Sequence, residues 1–404
     1  MAAITGKLNF NDPVFEMSKK SLLYFIPFNI MKNNAGAIRT AWNYLEAFHH
    51  LDMDVDYVHS NDTWGGPMSD TEVDDLKQTG LVRNIYHLNR KPENIRSLRH
   101  WLAYRIQRLG RDVSSGRSLP SFVTTYNQYL FNEILKKHRY DYIIISYAHW
   151  ANLVRENRYT GNAKLIIDTH DFMTAQERVW KKFNVGRAFN KEIKRLSLFD
   201  AVWTVSADER YLFQQFVDKK VVLVPFCAQD HTMMEAVAKN YDIIYVGGDN
   251  VHNIKAADWF FKEVYPLLDA SVRYCVVGRI HRYVPDRENI YKVPYAADLE
   301  DYYPRAKLAI CPMLSGTGVK VKVVEALSYA LPVVCSPRGV DGLLNKTENG
   351  CVVAASAPDF AAAIQKLLQN PDFYNEMRLQ AGTFFQKNHK KENLYTIIGN
   401  ALNC

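Results

Sequence analysis

Long apolar runs are missing from this 404-residue chain: no stretch approaches the ~18 consecutive apolar residues that a bilayer-spanning helix needs. The opening Met1 to Ser21 also lacks an apolar h-region and carries Asp12, Glu16, Lys19 and Lys20 instead, so neither a secreted nor an integral membrane protein is expected. Cysteine is scarce and late. The six, Cys227, Cys275, Cys311, Cys335, Cys351 and Cys404, form no CxxC pair and have no histidine at metal-ligand spacing. They read as reduced thiols of a cytosolic protein, several of them in buried strands, and no metal site is expected. Low-complexity tracts and internal repeats are absent. No strong excess of one charge sign exists either: a formal +7 suits anionic small molecules or an anionic surface without demanding nucleic acid. No zinc finger or aromatic-basic pattern supports a nucleic-acid partner.

What is present is ordinary globular composition, 48% hydrophobic and 23% charged, at a length that suits two or three domains. Short β-branched and aromatic runs at Leu22 to Phe28, Val55 to His59, Tyr142 to Tyr147, Leu165 to Asp168, Ala201 to Val205 and Val221 to Pro225 read as parallel strands buried on both faces. A second series follows at Ile243 to Val246, Tyr274 to Val277, Ile290 to Val293, Leu308 to Pro312, Val333 to Cys335 and Cys351 to Ala354. Helical periods separate several of them, including Ile38 to His50, Phe131 to His138, Ile254 to Leu268 and Val319 to Ala330. The expected fold is therefore α/β, two doubly wound domains in tandem. Gly110 to Ser121, rich in serine and glycine, reads as a surface loop.

The most informative run is Leu308-Ala-Ile-Cys-Pro-Met-Leu-Ser-Gly-Thr-Gly-Val-Lys-Val-Lys-Val-Val-Glu325-Ala-Leu, continued by Leu331-Pro-Val-Val-Cys-Ser-Pro-Arg-Gly339. It reads as a strand, a glycine loop and a helix whose first N–H groups point back at the strand's carboxyl end. Unsatisfied N–H groups and the positive end of the helix dipole make such a place a phosphate site. Glycines in a plain turn explain Gly316 and Gly318 equally well. Glu325, one or two turns into the helix, can accept hydrogen bonds from vicinal hydroxyls such as those of a ribose; its plainer reading is a solvated residue paired with Lys322. After another strand, Asp168-Thr-His-Asp171 gathers polar groups at a sheet edge where ligands of open α/β folds bind.

These residues resemble retaining GT-B glycosyltransferases of family four. The resemblance rests on Gly316-Thr-Gly318, then Lys322-Val-Val-Glu-Ala326, then Leu331-Pro-Val-Val, together with Asp168-Thr-His-Asp171, Asp200-Ala-Val-Trp-Thr-Val-Ser206, Tyr245-Val-Gly-Gly leading to Asn253-Ile-Lys, and Val277-Gly-Arg279. It implies a GT-B fold, two Rossmann-like domains facing across a cleft, with a nucleotide-sugar donor held mostly by the second. Residues 1–20 are then an N-terminal extension, 21–227 the acceptor-side domain, 228–385 the donor domain, and 386–404 a helix packing back on the first. By the same resemblance Glu325 holds the donor ribose, while Gly316, Thr317 and Gly318 lie beneath the sugar and phosphates. Gly36 approaches the diphosphate, and His170 with Asp171 stands at the transferred sugar as the catalytic pair. Gly248, Arg279 and Lys322 complete the donor site. The activity implied is transfer of a hexose, with retention, to a hydroxyl of a glycan or lipid-linked acceptor in cell-surface polysaccharide synthesis, without a metal or other cofactor. The chain departs from the pattern where Thr317 replaces a glutamate, and this keeps a catalytically silent GT-B binding protein in view. A nicotinamide dehydrogenase is disfavoured, because Asn33-Asn-Ala-Gly36 after the first strand supplies one glycine and no GxGxxG.

One segment stands outside that scheme. Across Arg90 to Arg111, Ile95, Leu98, Leu102, Ile106 and Leu109 recur at steps of three and four, with Arg96, Arg99, Arg105, Arg108 and Arg111 largely off the stripe. Such a helix fits an anionic lipid surface, which would make the protein peripheral on the inner face of a membrane. It fits equally a domain helix packing its stripe on a sheet.

Overall fold

The computed structural model describes residues 19–403 apart from 33–35, 63–65, 93–97, 115–117, 179, 181, 236 and 297, and the side chains of 110–114. Nearly all of the expected N-terminal extension and Cys404 therefore lie outside the described residues.

The apolar runs form two parallel sheets. In the first, β1 (Ser21–Phe25), β2 (Asp54–His59), β3 (Asn84–His87), β4 (Tyr142–Ser146), β5 (Lys164–Asp168), β6 (Ala201–Thr204) and β7 (Lys220–Leu223) lie in the order β3-β2-β1-β4-β5-β6-β7. In the second, β8 (Tyr241–Val246), β9 (Tyr274–Val277), β10 (Ile290–Val293), β11 (Ala306–Cys311), β12 (Val333–Cys335) and β13 (Cys351–Val353) lie in the order β10-β9-β8-β11-β12-β13. The first domain carries α1 (Gly36–His50), α2 (Asp70–Gln78), α3 (Leu98–Ser114), α4 (Thr125–Lys137), α5 (Met173–Glu177), α6 (Val185–Leu196) and α7 (Ala207–Gln214). The second carries α8 (Val251–Trp259), α9 (Val321–Ser328), α10 (Ala357–Gln369) and α11 (Pro371–Asn388), and the chain ends in α12 (Lys391–Leu402). Leu394, Ile398, Ala401 and Leu402 of α12 are buried in the first domain's core.

Each sheet reverses its winding at one place, between β1 and β4 and between β8 and β11. Ligands of doubly wound sheets collect at the carboxyl ends of the strands beside that reversal. Consecutive buried side chains such as Ile143, Ile144 and Ile145 of β4 show that the central strands are covered on both faces. Cys275, Cys311 and Cys335 are free, buried thiols of the second sheet.

Three local expectations change. The helix expected over 254–268 ends at Trp259 and continues as a π-turn at Phe260–Val264 and a 3-10 turn at Tyr265–Leu267; Pro266 has no N–H to continue an α-helical ladder. The helix expected from Phe131 begins earlier, because Thr124 and Asn127 form a reciprocal cap. The expected loop at Gly110 is still helix as far as Ser114.

Candidate active site

The second-domain wall is built by the loop between β11 and α9. Gly316 and Gly318 have φ of 105° and 69°, a region that side-chain-bearing residues rarely enter, and the loop they form leads directly into α9. Lys320 is the residue that caps α9, and its side chain makes no capping hydrogen bond to the helix. Its ammonium instead turns back, donating to the carbonyl oxygens of Thr317 at 3.2 Å and Gly318 at 2.7 Å. Lys322, in the first turn, donates to Asn253 Oδ1 at 2.8 Å and lies 5.3 Å from the centre of the Tyr245 ring. Burial lowers the pKa of both lysines, which stand at the start of α9.

Gly36 opens α1 as Val321 opens α9. A Cβ at Gly36 would sit 2.7 Å from Val321 Cγ2, so two helix N-termini from different domains meet with no room for a side chain between them. A cleft of about 910 Å³ opens beside this junction, lined among others by Gly36, Arg39, Gly248, Arg279, Lys322 and Glu325. Glu325, one turn beyond Lys322, forms an ion pair with Arg39 from the first domain. At the cleft's rim Arg279 Nε lies 3.0 Å from Asp249 Oδ1. Farther along, Tyr303 and Tyr329 stack with ring centres 5.2 Å apart, and His231 stacks on Tyr329 at 4.5 Å.

Across the interdomain gap from the glycine loop, outside the residues that line the cleft, stands an acidic wall. β5 ends at Asp168, which is fully buried, takes a hydrogen bond from Ser146 Oγ at 3.2 Å and lies 2.7 Å from His170 Nε2. The His170 ring stacks on Tyr147 at 4.7 Å, and both residues hold positive φ, 56° and 68°. Strained backbone of this kind, about 1 kcal/mol or more each, persists where the surroundings hold a side chain in a required place. Asp171 Oδ1 accepts from Thr317 Oγ1 at 3.4 Å across the interdomain gap. Burial pushes the Asp171 carboxyl up to about 6, against the opposing pull of His170 and Lys320. Glu209, which accepts from the Phe172 N–H at 3.1 Å, is held well above the usual carboxylate range by burial and then by Asp171.

The candidate residues thus fall into two groups. Gly36, Gly248, Arg279, Lys322 and Glu325 share the cleft. Gly316, Thr317 and Gly318 do not line it, and neither do His170 and Asp171, which were expected in it. Thr317 and Gly318 lie against Asp171, and a Cβ on Gly316 would meet His252, whose Nδ1 is 2.8 Å from Ser315 Oγ. The plain pairing of Glu325 with Lys322 is replaced: Lys322 goes to Asn253 and Glu325 to Arg39. His149, also beyond a strand, is 3.0 Å from Glu177 and stacks on Phe122. Sequence reasoning missed Arg39, Asn253, Glu209 and the Tyr303–Tyr329–His231 stack. Arg39 had one signal, its place three residues after Gly36, on the same face of α1; the others are brought in by folding.

Residues 240–370, most of the second domain, match the family model described as Glycosyl transferases group 1. A Klebsiella pneumoniae protein described as an uncharacterized 44.6 kDa protein in the cps region is 22% identical over 334 residues, covering 73% of this chain and 83% of that protein. Among solved structures, TarM superposes with a TM-score of 0.66 at 12% identity, covering 96% of this chain and 99% of that one. HepE from Anabaena, solved with UDP and glucose, superposes at 0.65 and 11% identity, covering 95% and 99%. The chain has the GT-B fold.

Proposed function

We propose that the protein is a glycosyltransferase that moves a hexose from a nucleoside-diphosphate sugar to a hydroxyl of a glycan or lipid-linked acceptor, with retention at the anomeric carbon. The observation that carries this reading is the meeting of two helix N-termini, α1 at Gly36 and α9 at Val321, at a cleft that also holds Lys322, Arg279 and Glu325. Two converging dipoles and a desolvated ammonium suit a diphosphate. From that seat the attached ribose reaches Glu325 about a turn along α9, where its hydroxyls donate to the carboxylate, with Arg39 sharing or yielding it.

The sugar then extends toward His170 and Asp171. As the anomeric carbon–diphosphate bond breaks, positive charge develops on the sugar ring and negative charge on the leaving group. The acidic wall stabilises the first, and the helix N–H groups with Lys322 and Arg279 stabilise the second, so the reading needs no resident metal. The acceptor oxygen forms the new bond on the face the diphosphate leaves, and its proton departs with the diphosphate. Polysaccharide synthesis at the cell surface is the process proposed, supported by the relative described as lying in a cps region.

A catalytically silent sugar-nucleotide binder is the second reading, favoured by Thr317 offering a hydroxyl to Asp171 in place of a carboxylate to the donor. Melting with UDP, GDP, ADP, TDP and CMP tests the donor site: a ligand at 100 times its Kd stabilises by about 2.7 kcal/mol. If none of the diphosphates shifts melting, the donor reading fails. Slow release of sugar from the corresponding donor separates the enzyme from the silent binder.

A further inference from the structure

α3 carries its apolar stripe on the outside. Leu98, Leu102, Ile106 and Leu109 are 57%, 48%, 69% and 67% exposed, and at 100° per residue they fall within a sector of roughly 80°. Arg99 flanks one edge of that sector and Arg105 the other; both are exposed. The Arg105 guanidinium lies 4.7 Å from the centre of the Trp101 ring. The opposite face holds the helix on the protein: His100 lies 5.7 and 5.4 Å from the Tyr126 and Tyr129 rings of α4, and Gln107 Oε1 accepts from the Thr125 N–H at 3.4 Å. The stripe is therefore turned away from the fold, and of the two readings of this segment, packing on a sheet is excluded for the described residues. No Asp or Glu occurs from Leu98 to Arg111.

A second basic feature adjoins it. Beyond Ser114 the chain needs four steps, at most ~14 Å, to reach Ser118. There Lys191 Nζ donates to Ser118 Oγ at 2.6 Å, Arg195 donates to the carbonyls of Pro120 at 2.8 Å and Leu119 at 3.3 Å, and Asn152 donates to Ser121 Oγ at 3.2 Å. These three residues, with Arg155 and Lys194, line a cavity of about 340 Å³. The neighbouring carboxylates are committed elsewhere: Glu192 accepts from Met173 and Thr174 at 2.6 to 2.9 Å, and Glu177 faces His149. Burial, Arg195 and Arg187 together lower the Lys191 pKa, while Glu192 and Glu177 act as counter-charges on Arg195.

We propose that α3 and this basic basin form one docking surface for an anionic lipid bilayer, the Leu98–Leu102–Ile106–Leu109 stripe entering the interface while the surrounding arginines and lysines meet phosphate headgroups. An apolar stripe alone would suit a protein partner equally. The flanking cations select a negatively charged apolar surface, and a second copy of this chain would set two arginine-rich faces against each other. The inference stands independently of the reading of the cleft.

The test is flotation of the full chain with vesicles of phosphatidylcholine alone and of equal parts phosphatidylcholine and phosphatidylglycerol. Binding is expected to the mixed vesicles only, with release at high salt. The pair Leu102→Asp and Ile106→Asp is expected to lower partition at least about tenfold through lost apolar burial, and the pair Lys191→Ser and Lys194→Ser about fivefold per cation, both with unchanged melting. Absence of binding at low salt, or undiminished binding by both double variants, overturns the proposal. So does a lowered melting temperature or a dimer-to-monomer change in the aspartate variant, either of which places the stripe inside a protein contact.

Discussion

The open cleft and the acidic cluster beside it handle charge by different means. The cleft sets Lys32, Arg39, Arg279 and Lys322 among Asp249, Asp298, Glu300 and Glu325, whereas beyond the glycine loop Asp168, Asp171 and Glu209 gather around a strained, stacked His170. In the cleft the charges pair in part, as Arg279 with Asp249 and Arg39 with Glu325. In that cluster burial holds the carboxyls of Asp171 and Glu209 above their usual range, at a cost in stability. Under the proposed function this difference becomes a division of labour: the cleft would bind the anion that leaves, and the acidic cluster would meet the charge that appears only during transfer.

The comparison breaks most visibly at His170. His170→Ala should lower turnover by about 10²–10⁴-fold, the worth of a positioned acid–base or electrostatic group, and leave nucleotide affinity in place; turnover within a factor of about two at intact folding would remove the residue from the chemistry. Next in size, Glu325→Gln keeps shape and one acceptor while losing charge. It should weaken nucleoside-diphosphate binding roughly ten- to a hundredfold, at about 1.4 kcal/mol per decade, which titration calorimetry reads directly.

Asp171 tests the stability side. Its carboxyl lies near 6 in the folded chain against an ordinary 3.8, so between these pH values the folded state holds the extra proton. Its contribution is then most favourable below about pH 4, declines as pH rises toward 6 and is level above. Asp171→Asn should therefore stabilise the chain at pH 7–8 by roughly 1–3 kcal/mol, lose that advantage below pH 4, and lower turnover. Melting curves of both proteins across this range would show the opposite trend if Asp171 were an ordinary structural ion pair. The smallest effect is expected at Arg39, which is a third exposed. Arg39→Ala frees Glu325 and should tighten nucleotide binding about two- to fivefold, in keeping with ~1 kcal/mol or less for a partly solvated pair. Weaker binding in the same titration would instead make Arg39 a direct donor contact.

Most of the fold was legible because parallel strands covered on both faces read as short apolar runs, as at Ile143 to Ile145. β3 escaped. Its Asn84-Ile-Tyr-His87 sits at a sheet edge, half-buried, and shows no apolar run. The positions of Gly316, Gly318 and Glu325 followed from local rules: glycine where φ is positive, a helix after the loop, a carboxylate at helical spacing. Arg39 and Asn253 did not, since their partners lie 286 and 69 residues away in sequence (325 − 39 and 322 − 253) and no local pattern encodes such pairs. Thr317 was legible as a departure, but that its hydroxyl faces Asp171 was not.

By itself the sequence determined most of the strands and their order, the absence of a long apolar span, and the local geometry of the glycine loop and its helix, because hydrophobic period and backbone sterics act over a few residues. Only the tertiary structure decided that Gly36 and Val321 bring two helix N-termini together, that Glu325 meets Arg39, and that the stripe of α3 faces outward. The same period-3.6 pattern serves a buried helix and a surface-seeking one equally well. What distinguishes them is whether another element covers the stripe, and that is settled by chain topology over distances that no sequence window spans.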